Sequence, residues 1–145
     1  LADHAIPVLL AEDDAVSALL AGAALSRAGH RVRHVATGDA ALAALSGERF
    51  SLLLSDFHMP GLDGPQLIAA LRRLEEETGA RRLPVIVLTA DARPQTRDAL
   101  LALGADGVMT KPVDPAALAA AVSAMAGDEA EAGTGGQELK RAALP

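Results

Sequence analysis

The chain has 145 residues, 50% of them hydrophobic, and 13 Lys and Arg against 19 Asp and Glu give a formal charge of −6. That length suits one domain able to bury about two thirds of its unfolded surface, and the acidic balance argues against a nucleic-acid binder built on a basic footprint. The absence of Cys removes disulfides, thiol chemistry and Cys-ligated zinc, and two Phe with no Trp or Tyr leave no base-stacking platform or aromatic cofactor slot to expect.

No apolar run reaches the roughly 18 residues that span a bilayer, and no basic-then-apolar leader precedes the first strand. A soluble, cytoplasmic domain with no membrane contact of its own is expected. The start at Leu1 rather than Met reads as a fragment of a longer protein, whose parent can be membrane-attached.

Five short apolar runs alternate with amphipathic segments. The first run, Ile6–Ala11, leads into a helix capped by Asp14, carrying Val16, Leu19, Leu20 and Ala23 on one face and ending near Ala28 before Gly29. Arg31–Val35 alternates, as a strand near a sheet edge does, and Thr37 caps a short helix to about Leu45. Leu52–Ser55 precedes a helix over Gly64–Glu77, with Leu67, Ile68, Leu71 and Leu74 at helical spacing. Val85–Leu88 precedes a helix from Pro94 to Leu103, stopped by Gly104. Gly107–Met109 is the last run, and Asp114-Pro115 opens a helix to about Ala126. Runs of consecutive apolar residues mark strands covered on both faces. The alternation therefore predicts an α/β domain: a doubly wound, five-stranded parallel sheet of flavodoxin-like order 2-1-3-4-5, with helices on both faces. It occupies residues 1–126, and 127–145, rich in Gly and acids, reads as a disordered tail or linker.

Ligands of such sheets bind outside the carboxyl ends of the strands. Past the first run stand Glu12-Asp13-Asp14, past the third Asp56, past the fourth Thr89 and past the fifth Thr110-Lys111-Pro112. The second run, destined for the edge, offers nothing. Asp14 fits the helix cap, which leaves Glu12 and Asp13 for chemistry. Carboxylates of Glu12, Asp13 and Asp56 repel one another unless a cation sits among them, and all-oxygen donors suit a hard ion such as Mg²⁺. Lys111 supplies a point charge for a phosphoryl oxygen and Thr89 a hydroxyl for another. A carboxylate, a divalent cation, a lysine and a hydroxyl make a phosphoryl-transfer site in which a carboxylate can form an acyl phosphate.

The segments Val8–Asp14, Leu53–Gly64 (ending Met59-Pro60-Gly61-Leu62-Asp63-Gly64), Val87–Ala90 and Lys111-Pro112 resemble, in order and spacing, the response regulator receiver domain of two-component signalling. The resemblance covers roughly residues 6–126 and is strongest to receivers attached to hybrid sensor histidine kinases. It implies Asp56 as phosphoacceptor, and Mg²⁺ held by Glu12, Asp13, one Asp56 oxygen and the backbone carbonyl of His58. It implies Thr89 and Lys111 as the switch hydroxyl and phosphate-contacting lysine, the latter before a cis Pro112, and His58 and Asp91 as residues that modulate phosphoryl lifetime. The implied partner is a histidine kinase or histidine-phosphotransfer domain, with no nucleic acid and no membrane bound by this domain. A side-chain metal role for His58 is not expected, since no second imidazole shows ligand spacing with it. The sequence departs from the family at Val108, where an aromatic switch residue commonly stands, and at Val113, commonly Phe.

Three other readings bear on the same motifs. A stand-alone or effector-bearing response regulator would share every motif. An Asp-nucleophile phosphatase of haloacid-dehalogenase type needs a second carboxylate two residues after the nucleophile, where His58 stands. A flavodoxin-like FMN carrier needs a Thr/Ser/Gly phosphate loop where Glu12-Asp13-Asp14 would repel phosphate.

Overall fold

The computed structural model describes residues 6–131. Ten elements alternate along the chain. They are β1 (Val8–Ala11), α1 (Ala15–Arg27), β2 (Val32–Val35), α2 (Gly38–Gly47) and β3 (Leu52–Asp56), then α3 (Gly64–Thr78), β4 (Val85–Thr89), α4 (Pro94–Leu103), β5 (Gly107–Thr110) and α5 (Pro115–Glu131). The strands form one parallel sheet in the order β2-β1-β3-β4-β5, as the alternation predicts.

Alternate residues of the strands feed two cores. Leu9, Leu53, Val85 and Val87 pack with Ala41 of α2, Leu67, Ile68 and Leu71 of α3 and Leu100 of α4. Val8, Leu10, Leu52, Leu54, Ile86 and Leu88 pack on the other face with Ala18 and Leu25 of α1 and Leu118 and Val122 of α5. Every residue of β1, β3 and β4 is buried, whereas β2 and β5 are the edges and are partly exposed. Residues before the strand ends are thus fixed by packing on both sides, which gives the functional ends of β1, β3 and β4 little freedom to drift.

The expected caps are present. Asp14 accepts the Ser17 amide at 2.7 Å, Thr37 that of Ala40 at 3.0 Å and Asp114 that of Ala117 at 2.9 Å. A capping box between Asp63 and Gln66 starts α3. Its neighbour Gly64 must be glycine: a Cβ there would stand 2.8 Å from the Asp56 carbonyl oxygen, so its absence lets α3 begin directly against the end of β3. Most boundaries fall within two residues of the expected ones, and α5 differs most. Helix α5 continues through Gly127 to Glu131, past the expected end near Ala126, because one Gly weakens a helix by only about 1 kcal/mol and good helix formers follow it. The rest of the expected tail, 132–145, lies outside the described residues.

A polar network anchors the opposite end of the sheet. Arg72, with its side chain 17% exposed, donates to Glu75 Oε1 at 2.9 Å, to the Leu83 carbonyl at 2.9 Å, to the Gly104 carbonyl at 2.7 Å and to Asp106 Oδ2 at 3.2 Å. Glu75 in turn accepts the Leu83 amide at 2.7 Å and Asp106 the Val85 amide at 2.9 Å. One guanidinium therefore joins the end of α3, the start of β4 and the turn before β5. Arg72→Ala leaves the buried Glu75 carboxylate with only the Leu83 amide, while Asp106 keeps Arg82 and the Val85 amide, and a loss of about 2 kcal/mol in urea unfolding is expected. A change below about 0.5 kcal/mol would show the network to be idle.

Candidate functional site

Parallel pairing brings the carboxyl ends of β1, β3, β4 and β5 to one rim. Glu12, one residue beyond β1, is only 2% exposed, and Asp56, the last residue of β3, is 8% exposed. Carboxylate oxygens of Glu12, Asp13 and Asp56 all lie within 4.8 Å of one another. Lys111, just beyond β5, crosses between them, its Nζ 2.7 Å from Asp56 Oδ1 and 3.3 Å from Glu12 Oε1. The Lys111 amide donates to the Thr89 carbonyl at 2.8 Å, and the Lys111–Pro112 peptide is cis.

The electrostatics follow from burial and crowding. Burial, with the charge of Asp56, pushes the Glu12 carboxyl above its ordinary pKa, against the pull of the Asp14 amide and Lys111. For Lys111, burial acts against the charge but is outweighed by the hydrogen bond and charge of Asp56 and by Glu12, so its pKa is raised. Three ionised carboxylates and one ammonium sum to −3 + 1 = −2, the deficit a divalent cation matches. The donor set is all oxygen, the ligand class of Mg²⁺ rather than of softer transition metals. The residues therefore fit the ion: Glu12, Asp13 and Asp56 would hold it, and it would supply positive charge beside a phosphoryl group.

The other predicted residues divide. Thr89 is the last residue of β4, 3% exposed, and its Oγ1 accepts the Asp91 amide at 3.1 Å. Asp91 does not present a free carboxylate to the rim. It accepts from the Arg93 guanidinium at 2.7 Å, from Thr96 Oγ1 at 2.6 Å and from the Arg93 amide at 3.0 Å, and these donors hold its carboxyl well below the usual range. The His58 side chain is exposed, stands outside the acidic group, and has its ring 4.6 Å from that of Phe57. Val108 packs on the core beside α4, and its carbonyl accepts from Arg97 at 3.0 Å, a polar tie between α4 and β5 where the aromatic is missing.

Two things escaped the sequence. The edge strand β2 does contribute: His34 Nε2 lies 2.8 Å from the Glu12 carbonyl oxygen. Its only sequence signal was a polar residue at a position whose strand phase matches Val32. Arg93 and Thr96 as partners of Asp91 were also missed, although an acid shortly before a helix is a familiar capping signal.

Comparison with known proteins places the chain. Residues 8–123 match the family model of the response regulator receiver domain, and the chain belongs to that family. It is a receiver domain of phosphorelay signalling, homologous to the receivers of hybrid sensor kinases. It is 38% identical over 122 residues to the sensor histidine kinase GacS of Pseudomonas protegens, covering 84% of this chain and 13% of that protein. With the sensor histidine kinase AruS of Pseudomonas aeruginosa it shares 38% identity over 109 residues, 75% of this chain and 11% of that one. The fold is similar to a Francisella response regulator receiver domain, with TM-score 0.77 and 26% identity over 83% of this chain and 96% of that one. It is also similar to the receiver domain of a Pseudomonas aeruginosa sensor histidine kinase, with TM-score 0.74 and 31% identity over 84% of this chain and 98% of that one. That structure has a magnesium ion coordinated in its active-site cleft. No helix among the described residues is long and apolar enough to cross a membrane.

The Asp91 cluster yields a local expectation. Its carboxylate organises the first turn of α4, whose N-cap residue Arg93 makes no side-chain cap of its own. In Asp91→Ala the amides of Thr96 and Arg97 should exchange faster with solvent while those of β4 do not. Unchanged exchange at both would show that the cluster does not hold the helix start.

Proposed function

We propose that this domain accepts a phosphoryl group from a phosphohistidine onto Asp56, with Mg²⁺ held by Glu12, Asp13, Asp56 and the His58 carbonyl, within a hybrid sensor histidine kinase. The observation that carries the reading is the Lys111 ammonium, 2.7 Å from Asp56 and bridging to Glu12 at the meeting point of three carboxylates. An Asp56 oxygen attacks phosphorus as the phosphorus–nitrogen bond breaks. The bonding pair stays with the imidazole, which leaves neutral because its other nitrogen carries a proton. Charge spread over the transferring phosphoryl oxygens is met by Lys111 and, once Thr89 releases the Asp91 amide, by the Thr89 hydroxyl. Water attack on the acyl phosphate later returns phosphate and free Asp56. The domain is read as residues 1–126, its last helix running on to Glu131, with a tail or linker after it. His58 and Asp91, the latter also held by Arg93 and Thr96, modulate the phosphoryl lifetime.

The donor reaches Asp56 along α1. Val16, Leu19 and Leu20 are 64%, 72% and 63% exposed, an apolar strip beside the groove lined by Ala24, Lys111, Pro112 and Leu118. A helical histidine-phosphotransfer partner fits such a strip, because burying it is favourable and it ends at the rim.

One experiment with two donors tests both statements. With a small phosphodonor and Mg²⁺, the protein and its Leu19→Asp/Leu20→Asp variant gain the mass of one phosphoryl group, whereas Asp56→Asn gains none. With a phosphohistidine protein as donor, the Leu19→Asp/Leu20→Asp variant is slowed at least about tenfold, the effect of 1.4 kcal/mol of lost docking. Labelled Asp56→Asn would move the acceptor elsewhere, and unimpaired transfer to the α1 variant would move the docking surface.

A further inference from the structure

Edge strand β2 carries no group of the acidic cluster, yet it holds the cluster's main chain at Glu12. Glu12 is tied to it twice: its amide donates to the Val35 carbonyl at 3.0 Å, and its carbonyl lies 2.8 Å from His34 Nε2. A carbonyl oxygen only accepts, so His34 carries its hydrogen on Nε2 and donates. The register pairs His34 with Leu10, and Val32, two residues earlier on the same face, packs with Val8 and Leu10 in the core beneath α1. His34 itself is exposed, beyond that core, and its imidazole gives its donor to the one peptide that joins Glu12 to Asp13.

That peptide matters because it is planar: the Glu12 carbonyl and the Asp13 amide turn together. A turn of that peptide that carried the Asp13 main chain outward would have to break the His34 bond. The Asp13 side chain is exposed, and no described hydrogen bond of its own restrains it. A cation binds three converging carboxylates more tightly when their crowding is already imposed by the scaffold.

We propose that His34 is a positioning residue, acting through the Glu12 carbonyl to hold the acidic pair in its cation-ready arrangement. The proposal rests on the reading of Glu12, Asp13 and Asp56 as the Mg²⁺ site. It assigns to β2 a share in a site otherwise built by the four other strands.

Isothermal titration with Mg²⁺ alone, without phosphodonor, is the test. His34→Leu keeps a side chain of similar size on the exposed edge but removes the donor, so Mg²⁺ affinity should fall about tenfold. His34→Gln, which retains a side-chain N–H of similar reach, should stay within about threefold of the unaltered protein, since most of the donor is kept. If His34→Leu does not fold, His34→Thr serves the same arm. In phosphodonor assays the Leu variant should need more Mg²⁺ for half-maximal labelling yet reach the same plateau, a split that general destabilisation would not produce. Unchanged affinity in the Leu variant, or a Gln variant as weak as the Leu variant, overturns the proposal. Asp13→Asn in the same titration separates the two levels. If it too binds Mg²⁺ normally, the acidic pair is not the cation site and the underlying reading fails. If it loses binding while His34→Leu does not, only the role of His34 fails.

Discussion

Everything distinctive in this molecule depends on a repulsion. Glu12, Asp13 and Asp56 bring carboxylate oxygens within 4.8 Å of one another at the end of a sheet, two of the three residues nearly excluded from water. Carboxylates in that position separate or protonate unless something opposes them. Lys111 opposes them in part, reaching across from the far side of the sheet to Asp56 and Glu12. The remaining charge fits the rim to a hard divalent cation of the kind that receiver domains bind. The capacity for chemistry is thus stored as unrelieved charge in a rigid frame.

The frame must resist that repulsion, and its construction explains how. β1 and β3 are buried on both faces and pair residue for residue, so neither can slide to widen the gap between Glu12 and Asp56. Gly64 lets α3 start against the Asp56 carbonyl, and the Gly64 amide closes the loop by donating to Phe57 at 2.7 Å. At the other end, Arg72 joins α3 to β4 and to the turn before β5, the strand that delivers Lys111. Sites held this way change by local rearrangement of loops, and the loop best placed to move is the one between Thr89 and Thr96. There the Thr89 hydroxyl is bound to Asp91, and Asp91 to the first turn of α4. With Val108 in place of an aromatic, the polar tie from Arg97 to its carbonyl links α4 to β5.

Much of this was legible in the sequence, and the boundary of legibility is physical. Consecutive apolar residues in Leu52–Leu54 and Val85–Leu88 specify strands covered on both sides, and that alone implies the parallel sheet and the rim where its polar termini meet. Glu12, Asp13, Asp56 and Lys111 could be picked out because each stands within two residues of the end of an apolar run. Asp56 and Thr89 proved to be the final residues of their strands rather than the first beyond them, a shift of one residue that leaves the rim intact. What could not be read was every interaction whose partners are distant in sequence and whose residue types are common. His34 reaches a main-chain carbonyl 22 residues away, and Arg72 gathers acceptors up to 34 residues away. The engagement of Asp91 was invisible for another reason: its family position implied a role beside the phosphoryl group, which says nothing of the Arg93 and Thr96 donors that also hold its carboxylate.

The central claim is that the crowded rim is a phosphoryl site with Asp56 as its nucleophile. The most direct measurement is a crystal structure of the protein with Mg²⁺ and beryllofluoride, a stable mimic of the acyl phosphate. The account predicts beryllium bonded to an Asp56 oxygen, the cation among Glu12, Asp13 and Asp56, and fluorine contacts from Lys111 and from a Thr89 hydroxyl that has left the Asp91 amide. Beryllofluoride bonded to another carboxylate, or none bound at saturating Mg²⁺, would contradict it.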